Sequence, residues 1–207
     1  MSNDNLRLVT VILDRSGSMQ GVKDDAEGGL KAFLQAQHEA PSLTLVTLRQ
    51  FDTEVETVFE RTPLDDVPAF TLHPRGTTAL LDAIGSTVAA TEEHLATHMT
   101  AHECPGEVVY VIVTDGYENA SREWTAQQVK DIITRQRGRG RVFVFLGADQ
   151  DAITVAHGIG IGAETSLSYS SRNTRDSMTS AGHTVARGSR SGDYSFTDQE
   201  RTGAAGS

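Results

Sequence analysis

Leu6-Arg7-Leu8-Val9-Thr10-Val11-Ile12-Leu13, followed at once by Asp14-Arg15-Ser16-Gly17-Ser18-Met19, decides the fold of this chain. The first eight residues become almost wholly apolar, the pattern of a central strand covered on both faces rather than of a half-exposed one. A polar turn follows, and Val22 to Ala40 reads as a helix. The strand therefore ends by delivering a carboxylate and two hydroxyls to one loop.

Further along, Leu43 to Phe51 and Glu54 to Arg61 read as strands separated only by Asp52-Thr53. That gap is too short for a crossover, so the two form an antiparallel hairpin. Thr62 to Arg75, with Pro63, Pro68 and Pro74, reads as a connecting loop that ends in Gly76-Thr77-Thr78. A helix is expected from Ala79 to about Ala101, then a strand over Val108 to Val113 that runs into Thr114-Asp115-Gly116. Thr125 to Arg137 reads as a helix, Val142 to Leu146 as a strand, Asp149 to His157 as a helix stopped at Gly158, and Ser166 to Tyr169 as a short edge strand. The fold class is α/β: a doubly wound, mostly parallel central sheet with one antiparallel edge strand and helices on both faces.

Asp14, Ser16, Ser18, Thr77 and Asp115 all fall on loops after the carboxyl ends of strands, where open α/β sheets bind ligands. Taken singly, each piece also fits a helix cap or a turn. Together they offer five oxygen donors on three loops, the chemistry of a hard divalent cation such as magnesium, with manganese as an alternative. With only two formal negative charges in the set, the cation keeps its appetite for a carboxylate from outside.

Asp14-x-Ser16-x-Ser18, the lone Thr77 and Asp115-Gly116, in this chain order, resemble the metal-ion-dependent adhesion site of von Willebrand factor A domains. This module also occurs in integrin inserted domains and in many bacterial proteins. The resemblance spans about residues 6 to 160. It implies a non-enzymatic adaptor whose cation, held by these five residues, takes an Asp or Glu of a protein partner. Cytoplasmic bacterial members often serve beside ATP-driven machines, and a component of such a complex is an expected partner. The chain has no Gly-Lys-Ser/Thr phosphate loop of its own.

Two other classes compete. A magnesium-dependent phosphohydrolase of the haloacid-dehalogenase type also keeps an Asp at a strand end, but its motif needs a second Asp where this chain has Ser16. A structural subunit with no metal would use the same oxygens to bind each other.

The chain has 207 residues and a formal net charge of −10, with a pI near 5.1. Its length suits one domain and its acidity argues against nucleic acid or an anionic membrane as partner. No run reaches the ~18–20 apolar residues of a membrane span, and residues 1–5 do not read as a secretion signal, so a cytoplasmic location is expected. The lone Cys104 reads as a plain thiol. His94, His98 and His102 stretch over ~12 Å of helix, too far for one zinc ion, and read as a solvated helix end. Arg135, Arg137, Arg139 and Arg141 form a basic cluster next to a helix C-terminus. His157-Gly158-Ile159-Gly160-Ile161-Gly162 follows a helix instead of preceding one, so it reads as a helix stop. The expected organisation is a domain over 1–188, with its core at about 6–160 and an extension over 161–188 in which Met178, Ala181 and Val185 line a weak helix. A disordered tail is expected over 189–207.

Overall fold

The computed structural model describes residues 2–97, 99–100 and 103–206. Strands β1 (Asn3–Asp14), β2 (Leu43–Phe51), β3 (Val55–Pro63), β4 (Pro105–Thr114), β5 (Val142–Ala148) and β6 (Ser166–Tyr169) form one sheet. Their order is β3-β2-β1-β4-β5-β6. Only β3 runs antiparallel, paired to β2; the other neighbours are parallel, with Val9 opposite Val46 and Val11 opposite Val111. Helices α1 (Lys23–Ala36), α2 (Leu80–Thr97), α3 (Ala126–Arg137), α4 (Ala152–Gly158), α5 (Thr174–Ser191) and α6 (Asp198–Ala205) complete the chain.

The near-continuous apolar runs are explained by cover on both faces. Val9, Val11 and Leu13 point into one core with Leu30 and Phe33 of α1 and Met178 and Val185 of α5. Leu8 and Ile12 point into the other, with Ile84 and Val88 of α2 and Ile132 and Ile133 of α3. From central β1 the chain first winds toward β2, then returns to place β4 on the other side, so the loops after β1 and β4 flank the switch point.

Several boundaries differ from the expected ones. β1 begins at Asn3, whose N–H donates to Cys104 O at 2.8 Å. The helix expected over Val22–Ala40 is split into short 3-10 turns at Gly17–Val22 and Gln37–Glu39 around α1. α2 ends at Thr97 among the described residues, and the expected end near Ala101 lies outside them, as do His98 and His102. α4 starts later than expected, where Asp151 accepts from Thr154 N at 3.0 Å and caps it. Gly160, at φ +87°, turns the chain after α4 as the helix-stop reading requires. No described helix is long and apolar enough to cross a membrane.

The C-terminal part is a correction. The helix expected around Met178, Ala181 and Val185 is present as α5, which buries all three and runs 18 residues to Ser191, but in place of a disordered tail over 189–207, α6 folds back onto β6. Close packing of α1 on α5 explains the glycines there: a Cβ on Gly182 would lie 2.8 Å from Phe33 Cα. Phe196 and Ala204 are buried, and Arg201 donates to Ser166 O and Ala163 O, each at 2.7 Å. Glu200 is the anchor, accepting from Thr184 Oγ1 and Arg187 Nη1, each at 3.0 Å, and from Thr197 N at 2.7 Å. Burial alone would raise its carboxyl, but these donors outweigh it and hold Glu200 at about 2. A folded-state value below the ordinary one stabilises above the ordinary value and is lost as the pH falls through about 4.5 toward 2. Glu200→Gln is expected to lower stability by ~1–2 kcal/mol and to speed amide exchange in α6, measured by denaturation and hydrogen exchange at neutral pH.

Candidate metal centre

Asp14 closes β1 with its backbone still in register opposite Phe51 of β2, and its side chain is fully buried. One oxygen accepts from Ser16 N–H and the other from Thr114 Oγ1, both at 2.6 Å. The chain then makes the 3-10 turn from Gly17, which lifts Ser18 toward the loop after β4. Ser16 Oγ and Ser18 Oγ share a hydrogen bond of 2.9 Å, and Ser18 Oγ donates to Asp115 Oδ1 at 2.7 Å. Ser16, Ser18 and Asp115 thus form one continuous oxygen chain, with Asp14 beneath it.

Octahedral oxygen ligands at 2.0–2.1 Å from a cation stand ~2.9 Å from their neighbours. The Ser16–Ser18 and Ser18–Asp115 separations are ordinary for hydroxyl hydrogen bonds and are also compatible with that spacing, so the donor set can accommodate a small hard cation. Among the described residues no group of three or more His, Cys, Asp or Glu converges, and the hydroxyl-bearing set is the candidate centre.

Thr77 is the one of the five not joined to the others. Its Oγ1 pairs with Thr53 Oγ1 at 3.1 Å, although its loop touches the serine loop through Gly17 N–H to Gly76 O at 3.2 Å. Gly76 adopts φ +69°, a left-handed conformation suited to glycine at this turn. Sequence reasoning passes over neighbouring Thr78. Its N–H donates to Asn119 Oδ1 and its carbonyl accepts from Asn119 N–H, both at 3.0 Å, which pins the Thr77 loop to the loop after β4. Gly116 allows the approach, since a Cβ there would meet Thr78 Oγ1 at 2.9 Å.

The rest of that loop is rigidly organised on the start of α2. Asp82 accepts from the backbone N–H groups of Arg122, Glu123 and Trp124 at 2.7–2.9 Å. Glu118 accepts from Ala120 N and Ser121 N, and also from Leu81 N in the first turn of α2. Tyr117, 63% exposed, stands at the edge of this framework, next to Gly116.

Burial dominates the electrostatics of both candidate carboxylates. Desolvation pushes Asp14 up to about 6 against the hydrogen bonds from Thr114 and Ser16. Desolvation also raises Asp115, opposed by the Ser18 hydroxyl. Both groups are therefore short of positive charge, which a cation bound here would supply.

The basic cluster is partly consumed by the fold. Arg137 donates to Gly160 O at 2.8 Å and pairs with Glu164 at 3.3 Å, while Arg141 pairs at 3.1 Å with Glu92, which also accepts from Tyr110 Oη at 3.0 Å.

The alternating, switch-pointed sheet with its single antiparallel strand is the von Willebrand factor A fold. Among solved structures, the von Willebrand factor domain of the type V pili tip protein Mfa5 from Porphyromonas gingivalis matches with a TM-score of 0.60 at 11% identity, covering 93% of this chain and 97% of that one. Proximal thread matrix protein 1 from the mussel byssus matches with a TM-score of 0.59 at 16% identity over 88% of this chain and 46% of that one. A further structure of that mussel protein, at 17% identity and a TM-score of 0.55, covering 87% of this chain and 46% of that one, has a zinc-occupied metal-ion-dependent adhesion site. This chain spans less than half the length of the mussel chains. No protein-family model matches the sequence. No curated protein matches it either.

Proposed function

We propose that the chain is a divalent-cation-dependent protein-interaction module, with magnesium as the resident ion and manganese as a substitute. The observation that carries this reading is the oxygen chain Ser16–Ser18–Asp115, spaced at 2.9 and 2.7 Å over a buried Asp14. Ser16, Ser18 and Asp115 would hold the ion with Asp14 supplying charge from beneath, and the Thr77 hydroxyl, now paired with Thr53, is the further oxygen available to it. The cation supplies a Lewis-acidic position for one Asp or Glu side chain of a protein partner. The adhesion site of the mussel protein, occupied by zinc, supports divalent binding on this fold. A subunit of an ATP-driven complex suits such an adaptor as partner.

Asp14 also argues against the phosphohydrolase. A nucleophilic carboxylate must reach its substrate, whereas Asp14 is fully buried and both its oxygens already accept hydrogen bonds within the fold. The position two residues on carries the Ser16 hydroxyl, which bonds Ser18 and offers no general acid.

Ser18→Ala removes the central member of the oxygen chain and is expected to weaken magnesium binding at least ~10-fold, about 1.4 kcal/mol, without altering the fold. Calorimetric titration with circular dichroism as the fold control checks this; equal affinity in wild type and variant counts against the ligand set. Pull-down of host proteins with magnesium, with EDTA and with Asp14→Ala then tests the partner reading: a protein retained only by magnesium-loaded wild type is the expected result.

A further inference from the structure

Two of the three loops of the candidate centre, those carrying Ser16–Ser18 and Thr77, are fastened to one side chain outside the donor set, Asp52, in the turn between β2 and β3. Asp52 is 2% exposed. Its Oδ2 accepts from Arg15 Nε at 3.0 Å and from Arg75 Nε at 2.7 Å, and its Oδ1 accepts from Glu54 N–H at 2.8 Å. Its carbonyl accepts from Ala79 N–H at 2.9 Å, just before α2.

These contacts join the segments that must converge. Arg15 lies between Asp14 and Ser16, and Arg75 lies two residues before Thr77. Their backbones follow the same link: Arg15 N–H donates to Phe51 O and Arg75 N–H donates to Arg15 O, both at 2.8 Å. Thr53, next to Asp52, makes the hydroxyl contact with Thr77. Arg15 is itself buried, and its other carboxylate, Glu56, reaches Nη1 at 2.5 Å from a largely exposed position. A buried guanidinium keeps its place only where counter-charge is fixed beside it, and charge-assisted bonds to one shared carboxylate are strong and directional.

We infer that Asp52 is a positioning residue: it sets the register of the Thr77 loop against the Ser16–Ser18 loop and is not itself a cation ligand. Its oxygens already serve two guanidinium groups and one amide. The register belongs to the metal-free protein; only its consequence for affinity rests on the cation reading proposed above. Asp52→Asn keeps the shape but replaces the shared anion with a neutral amide: if its oxygen serves the two guanidinium groups, its NH2 faces the Glu54 N–H, and it carries no charge to pair with theirs.

The test is native-state amide exchange in EDTA, followed by magnesium titration, on wild type, Asp52→Asn, Arg75→Gln and the exposed control Asp66→Asn. Exchange at Gly17, Arg75 and Ala79 is expected to speed up at least ~10-fold in Asp52→Asn and less in Arg75→Gln, with Val11 and Val111 unchanged. Magnesium affinity is expected to fall at least ~10-fold in Asp52→Asn and to stay at the wild-type value in Asp66→Asn. Should Asp52→Asn fail to fold, Arg75→Gln carries the test, because the Arg75 side chain is 60% exposed. Exchange and affinity within twofold of wild type in the folded variants overturn the inference, and so does faster exchange with unchanged affinity. Faster exchange in a protein whose wild type binds no magnesium supports the positioning and overturns the cation reading alone.

Discussion

Asp14→Asn is expected to make the metal-free protein more stable, by ~1–3 kcal/mol above pH 7, while removing its response to magnesium. Burial raises the Asp14 carboxyl from 3.8 to about 6, so native Asp14 takes up its proton more readily than the unfolded chain does. Between those two values the native state binds more protons, and stability falls as the pH rises. Below about 3.8 the penalty is absent. Above about 6 it is complete, having grown by about 1.4 kcal/mol for each pH unit between the two values. Asparagine removes the charge and keeps the contacts: its oxygen can accept from Ser16 N–H, and its amide can donate to Thr114 Oγ1, which then turns its proton to Gly116 O at 3.1 Å. Urea unfolding in EDTA at pH 5 and pH 7.5 checks this. Wild type is expected to lose stability relative to the variant on going to the higher pH; a variant less stable than wild type at pH 7.5 would show that the Asp14 charge is compensated within the metal-free fold.

Magnesium at saturating concentration is expected to offset or reverse this order. An ion that binds only the native state adds ~2.7 kcal/mol at a concentration 100-fold above its dissociation constant. For a domain of this size that is a rise of roughly 5–10 °C in melting temperature. Wild type is expected to show the full rise at pH 7.5. Ser18→Ala and Asp115→Ala should show much less at the same magnesium concentration, and Asp14→Asn should show little, despite its more stable metal-free state. Scanning calorimetry with and without magnesium reads all four proteins. A metal-independent structural subunit would give superimposable curves.

Much of this site was legible because its chemistry is local in sequence. Asp14, Ser16 and Ser18 lie within five residues of Leu13 in a recognisable buried strand, and Asp115 directly follows another, so the parallel pairing of β1 with β4 brings them together. Thr77 was legible as a loop position but not as a contact, because the orientation of its hydroxyl depends on Thr53, 24 residues away. Asp52 looked like a hairpin turn residue, and its work is visible only once Arg15 and Arg75 arrive from other loops. The tail escaped for a related reason. Between Ser189 and Ser207 there is little apolar surface to read, and docking rests on Glu200, Arg201 and the two small patches at Phe196 and Ala204. Hydrophobic periodicity detects segments that bury a stripe, and it does not detect a short helix stapled by hydrogen bonds.

The most direct measurement is diffraction from crystals soaked in manganese, with data collected to locate the ion by its anomalous signal. The expected map has a peak bounded by Ser16 Oγ, Ser18 Oγ and an Asp115 oxygen, with Asp14 beneath it and the Thr77 hydroxyl turned from Thr53 toward the ion. An anomalous map with no peak there, or with manganese only on surface carboxylates away from these loops, would contradict the assignment of these residues to a cation site.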